Sequence, residues 1–293
     1  MNITLASLVL DITLTAPLRS PAAPFAIRTF FPAAFKRAVD RLHEPSWWQA
    51  TFGQQLSPDP EAVRRYQKPP LPFVFDLPAL SAGHRGTAEL GLTLVGSAVN
   101  HLPAYILALR LLFADEAFTG RFPVRLDAIA ALDAAGSRTL LWRNGDEPQL
   151  SEVPLVSATQ LTDREQAMPD HLHLEILTPL RLLQDGRPCR EPGFSLLARS
   201  LMRRVSALAY YYGGEELNMD FRWLAERSAS VATVRSELRW VEWGGGVQGV
   251  VGRIEFRGEL IDFLPFFRLG ERLHAGKGAS FGLGRYSIPA EVL

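Results

Sequence analysis

The hydrophobic period of this chain changes in the same order twice, and few folds accept that order. Residues 3–14 carry apolar side chains mostly at every second position (Ile3, Leu5, Leu8, Leu10, Ile12, Leu14), the period of a half-buried strand. After a loop with Pro17, Pro21 and Pro24 the period lengthens. Ile27, Phe31, Ala34, Phe35, Ala38 and Leu42 fall on one face of a helix expected over 25–43, with Arg28, Lys36, Arg37, Asp40 and Arg41 mostly elsewhere. Pro45 is expected to stop this helix and Pro32 to kink or restart it. The stretch 44–80 contains seven prolines and reads as an irregular excursion, with one strand at 71–77. A strand follows at 87–94, a helix at 99–113 (Leu102, Ile106, Leu109, Leu112, Phe113), and strands at 121–132 and 139–142. Residues 144–152 are polar.

A second series then begins. Residues 171–180 read as a strand ending at Thr178-Pro179, and a loop with Gly186, Pro188, Pro192 and Gly193 leads into a long helix at 194–212. Leu197, Leu201, Val205 and Leu208 line one face of that helix, and Arg199, Arg203 and Arg204 lie mostly off it. A further helix is expected at 219–230. Strands at 236–243 and 250–260 are joined through Gly244-Gly245-Gly246, and a short strand closes the chain at 286–288. The order strand, helix, strand, strand, helix, strands, given twice, suits an α+β fold of two split βαβ units. Their expected extents are 1–160, with an irregular insertion at 44–80, and 161–293.

Charge narrows the function. Lysine plus arginine and aspartate plus glutamate number 31 each, so an unspecific polyanion binder with a large positive excess is disfavoured. A local basic groove is compatible with this balance. The single cysteine, Cys189, excludes an intramolecular disulfide and a cysteine-based zinc site, and fits a reducing cytoplasm. Residues 1–14 have no basic n-region and no long apolar core, so they read as a strand and not as a signal peptide. No run of 18 apolar residues occurs, so no membrane span is expected.

The most informative segment is His274-Ala-Gly-Lys-Gly-Ala-Ser-Phe-Gly-Leu-Gly-Arg-Tyr286. Gly276, Gly278, Gly282 and Gly284 let the backbone approach a ligand and take positive φ. Lys277 and Arg285 add cationic donors, Ser280 a hydroxyl, and exposed N–H groups in such a loop form a phosphate-binding concavity. Phe281 and Tyr286 are aromatic enough to stack on bases or sugars. The segment is neither a Walker loop nor a dinucleotide fingerprint, because a strand follows it instead of a helix. The bland alternative is a glycine-rich turn before a last strand.

Gly276-x5-Gly282-x-Gly284 resembles the glycine-rich signature of the RAMP superfamily. Its place near the end of the chain resembles the Cas-six family of CRISPR precursor-RNA endoribonucleases. Phe263-Leu-Pro-Phe-Phe-Arg-Leu-Gly-Glu-Arg-Leu-His-Ala-Gly-Lys277 is similar to the lead-in of one branch of that family. So are Leu90-Gly-Leu-Thr-Leu-Val-Gly-Ser-Ala98 with Leu102-Pro-Ala-Tyr-Ile-Leu-Ala-Leu109, Leu177-Thr-Pro-Leu-Arg-Leu182, and Leu201-Met-Arg-Arg-Val-Ser-Ala-Leu208. The segments come in the family's order across most of the chain. The resemblance implies tandem ferredoxin-like (RRM-like) domains and a C-terminal glycine-rich loop. It also implies a partner, CRISPR repeat RNA, both as precursor and as mature guide, and other effector-complex subunits besides. The implied activity is one cut per repeat by ribose 2′-hydroxyl attack, leaving a 2′,3′-cyclic phosphate, with no metal and no cofactor. A non-catalytic RAMP subunit that holds repeat-derived RNA is the alternative. The chain departs from some relatives in lacking a cysteine cluster at 44–68.

That chemistry needs a proton-transfer group and a charged-transition-state stabiliser, and imidazole suits the first. Of the six histidines, His43 ends the first amphipathic helix, where the family keeps a general acid/base histidine, and His274 adjoins the loop. Both are expected catalytic residues. A histidine at a helix C-terminus is also favoured by the helix dipole, and His274 has a packing role as its alternative. Gly276, Lys277, Gly278, Ser280, Phe281, Gly282, Gly284 and Arg285 are expected to contact RNA, together with Arg199, Arg203 and Arg204. For each of those three alone, a solvated helix face is the plainer reading. Trp47-Trp48 offers a base-stacking platform or ordinary core. His171 and His173 share a strand face at i, i+2, a metal-compatible spacing, but no third ligand is evident, so no metal site is expected.

Overall fold

The computed structural model describes residues 3–66, 68–149, 153–162 and 170–289. The end of the polar stretch 144–152 lies outside them. The first half runs β1 (Thr4–Leu14), α1 (Ile27–Arg41), α2 (Pro45–Phe52), α3 (Pro60–Tyr66), β2 (Phe73–Asp76), β3 (Gly86–Val95), α4 (Leu102–Phe113), α5 (Glu116–Thr119), β4 (Val124–Leu132), β5 (Arg138–Arg143), β6 (Val156–Ser157) and α6 (Ala158–Thr162). The second runs β7 (His171–Leu180), the small hairpin β8 (Leu183–Gln184) and β9 (Arg187–Pro188), α7 (Phe194–Leu208), α8 (Phe221–Arg227), β10 (Ala232–Gly244), β11 (Val247–Arg257), α9 (Leu264–Leu273) and β12 (Tyr286–Ser287).

The first sheet has the order β2-β3-β1-β4-β5, with β6 also on β1, and the second β10-β11-β7-β12; every pairing is antiparallel. Counted within its own half, each sheet places its second, third, first and fourth strands side by side. That is the tandem ferredoxin-like arrangement which the repeated periodicity and the resemblance implied.

Burial follows the sequence periods. In β1, Leu8, Leu10, Ile12 and Leu14 enter the first core. There α1 and α4 pack Phe31, Phe35 and Tyr105 against Phe73 and Phe75 of β2, with ring centroids 4.9–6.3 Å apart. In the second core, Leu197, Leu201 and Val205 of α7 meet Leu172, Leu174 and Ile176 of β7 and Phe266 and Phe267 of α9. Each such side chain contributes about 1.5–3 kcal/mol by leaving water. The halves also exchange residues. Val74 points into the second core while its neighbours Phe73 and Phe75 face the first, and Val247 and Leu283 of the second half enter the first core. Strand alternation puts one residue of β2 on each side of the seam.

The proline-rich excursion contains two helices where an irregular segment was expected. Pro45 and Pro60 are their first residues. At the first helical position the missing N–H has no partner to lose and the fixed φ is already helical. Pro45 therefore opens α2 instead of only closing α1, and α1 runs through Pro32. Trp47 stacks on His101 and Trp48 on Phe52, so both rings are engaged within the protein. In the second half, the α-helix stops at Leu208 and a wider turn continues to Gly213. Among the described residues, no helix is long and apolar enough to cross a membrane.

Candidate functional site

The glycine-rich segment leaves α9 at His274 and folds back to β12, wedged between the two halves. The sequence demands its glycines for space as much as for φ. A Cβ on Gly284 (φ +65°) would lie 1.9 Å from the Ala275 carbonyl oxygen, and one on Gly276 (φ +76°) 2.6 Å from that of Arg181. A Cβ on Gly282 would meet the Leu77 side chain at 2.5 Å. Thr178 pins the loop from β7: its hydroxyl donates to the Gly282 carbonyl at 2.7 Å and accepts from the Arg285 N–H at 2.9 Å. Lys277 N–H donates to Arg181 O and Gly284 N–H to Pro179 O. The N–H groups of Gly276, Gly278, Ala279 and Ser280 find no acceptor among the described residues.

Several expected RNA contacts face the protein instead. Phe281 packs edge-on to Phe73 and parallel to Phe75, in the aromatic cluster of the first core. An apolar ring is better placed there than against water. Tyr286 is buried and donates its hydroxyl to Phe267 O. Ser280 is buried, pointing at the Leu71 carbonyl at 3.4 Å. Arg285 spans the seam, with Nε 2.7 Å from Asp76 Oδ1 and an NH group 3.3 Å from Leu77 O. Burial pushes the Asp76 carboxyl up, and the guanidinium groups of Arg285 and Arg272 pull it back. Arg204 turns inward: Nε donates to Leu273 O at 2.7 Å and an NH group approaches Ser280 Oγ at 3.3 Å. These side chains hold the loop in place.

His274 is the largest departure from expectation. It is fully buried, at φ +57°; the backbone of Leu283 and Ala279 lies close to the ring, but among the described residues neither ring nitrogen has a hydrogen-bond partner in good geometry. Burial, reinforced by the charges of Arg204 and Arg285, lowers its pKa to about 3. A ring closed off from solvent and held neutral does not exchange protons with a bound RNA in this conformation. This placement favours the packing role that the sequence left as the alternative to catalysis. The unfolded chain takes up a proton near pH 6.5 that the folded ring refuses until about pH 3. The stability it contributes is complete above pH 6.5 and is lost as the pH falls toward 3. Between pH 7 and 5 that loss amounts to about 2 kcal/mol. His274→Asn, neutral throughout and tolerant of positive φ, is expected to show a correspondingly smaller drop in melting temperature between those pH values. An unchanged drop would refute this account.

Arg199, Arg203 and Lys277 reach solvent. With Arg181 they line a cleft of about 810 Å³ between α7, the β8–β9 hairpin and the start of the glycine segment. Asp185 is the only carboxylate among its lining residues. Arg199 and Arg203 are one helical turn apart on the exposed side of α7, whose other side is fixed by Leu197, Leu201 and Val205. None of Arg199, Arg203 and Lys277 has an acidic partner among the described residues. Arg181 buries its Nε without an acceptor. Its position was visible in Leu177-Thr-Pro-Leu-Arg-Leu182, but only the fold turns it into the cleft. Arg199 and Arg203 also line an adjoining recess of about 540 Å³ with Arg65 and Arg222. Four closely set cations against one carboxylate suit a polyanion that fits the groove.

His43 lies on the first half, exposed, just past α1. Its N–H donates to Asp40 O and that of Glu44 to Val39 O, a Schellman closure with His43 in the left-handed position that glycine usually fills. Its φ is +58°. Local chain termination thus does not explain a histidine here, because glycine closes the helix with less strain. His101, stacked on Trp47, is partly buried and its pKa is lowered by that burial. From His43, α2 leads to Phe52, which touches Phe73 beside Phe281. At 1.5 Å per residue, its eight residues span about 12 Å.

A family model described as CRISPR-associated endoribonuclease Cas6 matches residues 174–286, and another, described as an N-terminal domain, matches 3–155. No curated protein matches by sequence. Among solved structures, a Cas6 (TTHA0078) product complex is 17% identical, with TM-score 0.57, over 98% of this chain and 100% of that one. A Cas6 (TTHB231) product complex, a protein of Thermus thermophilus, is 19% identical with TM-score 0.57, over 96% and 98%. A partial Cas6-RT-Cas1–Cas2 complex is 14% identical with TM-score 0.61, covering 99% of this chain and 47% of the longer one.

Proposed function

We propose that this chain, which the model of the CRISPR-associated endoribonuclease Cas6 family matches over residues 174–286, binds CRISPR repeat RNA and cuts the precursor once in each repeat. The observation that carries this reading is the unpaired cationic cleft of Arg181, Arg199, Arg203 and Lys277 beside the glycine segment. Phosphates of a single strand are the natural occupants of such a groove.

In the proposed reaction the 2′-hydroxyl attacks the adjacent phosphorus and the bond to the 5′ oxygen of the next nucleotide breaks. The products are a 2′,3′-cyclic phosphate and a 5′-hydroxyl, and no metal ion takes part. His43 exchanges the proton, as base toward the 2′-hydroxyl or as acid toward the leaving oxygen. Lys277 and the free N–H groups of the loop offset charge on the phosphorane. Other CRISPR proteins are proposed partners once the RNA is bound. The enclosed ring of His274 leaves His43 as the remaining proton-transfer candidate of the two, and this favours a second reading, a subunit that holds repeat-derived RNA without cutting it.

Cleavage of a labelled cognate repeat in EDTA separates the two. A single cut, blocked by 2′-deoxy substitution at that nucleotide, is the expected result; tight binding without a cut at high enzyme would leave the scaffold. Alanine at Arg199, Arg203 or Lys277 is expected to weaken binding of all sequences alike. Each lost phosphate contact should lower the slope of log affinity against log salt by about 0.7. An unchanged slope in all three would remove the cleft from the RNA path.

A further inference from the structure

Away from the cleft, the outward face of the second sheet gathers metal-ligating side chains from two strands. In β7, Leu172, Leu174 and Ile176 point into the core, which leaves His171, His173 and Glu175 on the other face. Strand pairing sets Glu255 of β11 directly opposite His173, with Arg257 opposite His171. His171 Nδ1 lies 2.6 Å from Glu255 Oε1, and His173 Nδ1 lies 3.9 Å from Glu255 Oε2. The two imidazole rings are 14° from parallel with centroids 6.2 Å apart. One ligand atom from each of the three residues falls within 4.8 Å of the others. The i, i+2 histidines lacked a third ligand in the sequence; the register of β11 supplies it from 82 residues away.

We propose that His171, His173 and Glu255 bind one divalent transition-metal ion of the zinc class. Two imidazole nitrogens and a carboxylate oxygen form a donor set suited to zinc, cobalt or nickel, whereas magnesium and calcium prefer oxygen ligands. A tetrahedral ion with bonds of about 2.0–2.2 Å needs ligand atoms roughly 3.3–3.6 Å apart. The present separations lie on both sides of that value, within reach of side-chain rotation. Entry of the ion replaces the direct contact between His171 Nδ1 and Glu255 Oε1. Asp170 Oδ2 stands 3.8 Å from His171 Nε2, on the ring's other nitrogen, where an outer carboxylate orients a ligating histidine.

The nearby cations do not compete for the site: Arg253 faces Glu175 and Arg257 faces Asp170. The three side chains are 31%, 45% and 20% exposed, which leaves an entry path and room for water as a fourth ligand. The ion ties β7 to β11, and β7 carries Thr178 near its far end, with Arg181 just past it. This site takes no part in the proposed cutting reaction, so cleavage in EDTA is unaffected by it.

The test is calorimetric titration of the chelator-treated, dialysed full chain with zinc chloride. Cobalt chloride gives a parallel optical readout through its visible ligand-field band. Saturable binding of one zinc per chain is expected, with no heat from magnesium chloride. His173→Ala and Glu255→Gln should each weaken zinc binding by about tenfold or more, while Glu175→Gln keeps it. These are surface positions, and circular dichroism confirms that the variants are folded. No zinc uptake by the wild-type chain, or equal uptake by His173→Ala and Glu255→Gln, would overturn the assignment.

Discussion

Replacing His43 with alanine is expected to slow cutting of a cognate repeat RNA by roughly 10²–10⁴-fold, the usual contribution of a positioned proton-transfer group. RNA affinity should change little, because the cationic cleft is built from α7 and the loop on the other half. His43 is exposed and its backbone stands at φ +58° in a helix closure that prefers glycine. His43→Gly should therefore lose the same activity while gaining about 1 kcal/mol of stability. That opposite movement separates a functional residue from one kept for packing. Single-turnover cleavage and a denaturant melt on the same preparations measure both. Full cutting by both variants would remove His43 from the mechanism, and a loss of stability in His43→Gly would remove the strain argument.

Gly284→Ala is expected to have the largest effect of any single methyl added to the loop. The new Cβ would stand 1.9 Å from the Ala275 carbonyl oxygen and 2.9 Å from its carbon, both backbone atoms. No side-chain rotation relieves this contact, so the chain between Ala275 and Gly284 must open. That breaks the Ala275 N–H to Gly284 O bond and disturbs the Gly284 N–H to Pro179 O bond. Overpacking and the positive φ together should cost about 2–5 kcal/mol. Gly186 is the comparison, with φ +76° and nothing within 4 Å of an added Cβ. Gly186→Ala should cost only about 1 kcal/mol. Chemical denaturation of both variants reads the difference. Where Gly284→Ala remains folded, displacement of Lys277 should weaken repeat binding about tenfold by fluorescence anisotropy, a loss of about 1.4 kcal/mol. Equal stability losses for the two variants would mean that the loop is not held as tightly as its contacts indicate.

Much of this protein was legible before any coordinates. Strand and helix periods depend on which side chains recur, and β1, α1, α4, β7 and α7 lie close to where those periods put them. The excursion after α1 was harder to read. Proline in a run reads as a breaker, whereas Pro45 and Pro60 begin helices, and composition does not distinguish the first position of a helix from its interior. Arg199, Arg203 and Lys277 were candidates from sequence and do reach the cleft. Arg204, one residue beyond Arg203, turns the other way, because a step of about 100° along a helix separates solvent from core.

The sequence by itself determined the two α+β halves, the balanced charge and the glycines that make the close turn possible, because these follow from local period and local sterics. The tertiary structure alone decided which polar groups face a ligand. Packing between the halves enclosed His274 and laid Phe281 against the aromatic cluster of the first core, since a neutral ring and a phenyl are cheaper to bury than the charges around them. The register of β11 against β7 put Glu255 beside two histidines far away in the chain. No local rule encodes that register; it is set by which face of each strand the shared core must bury.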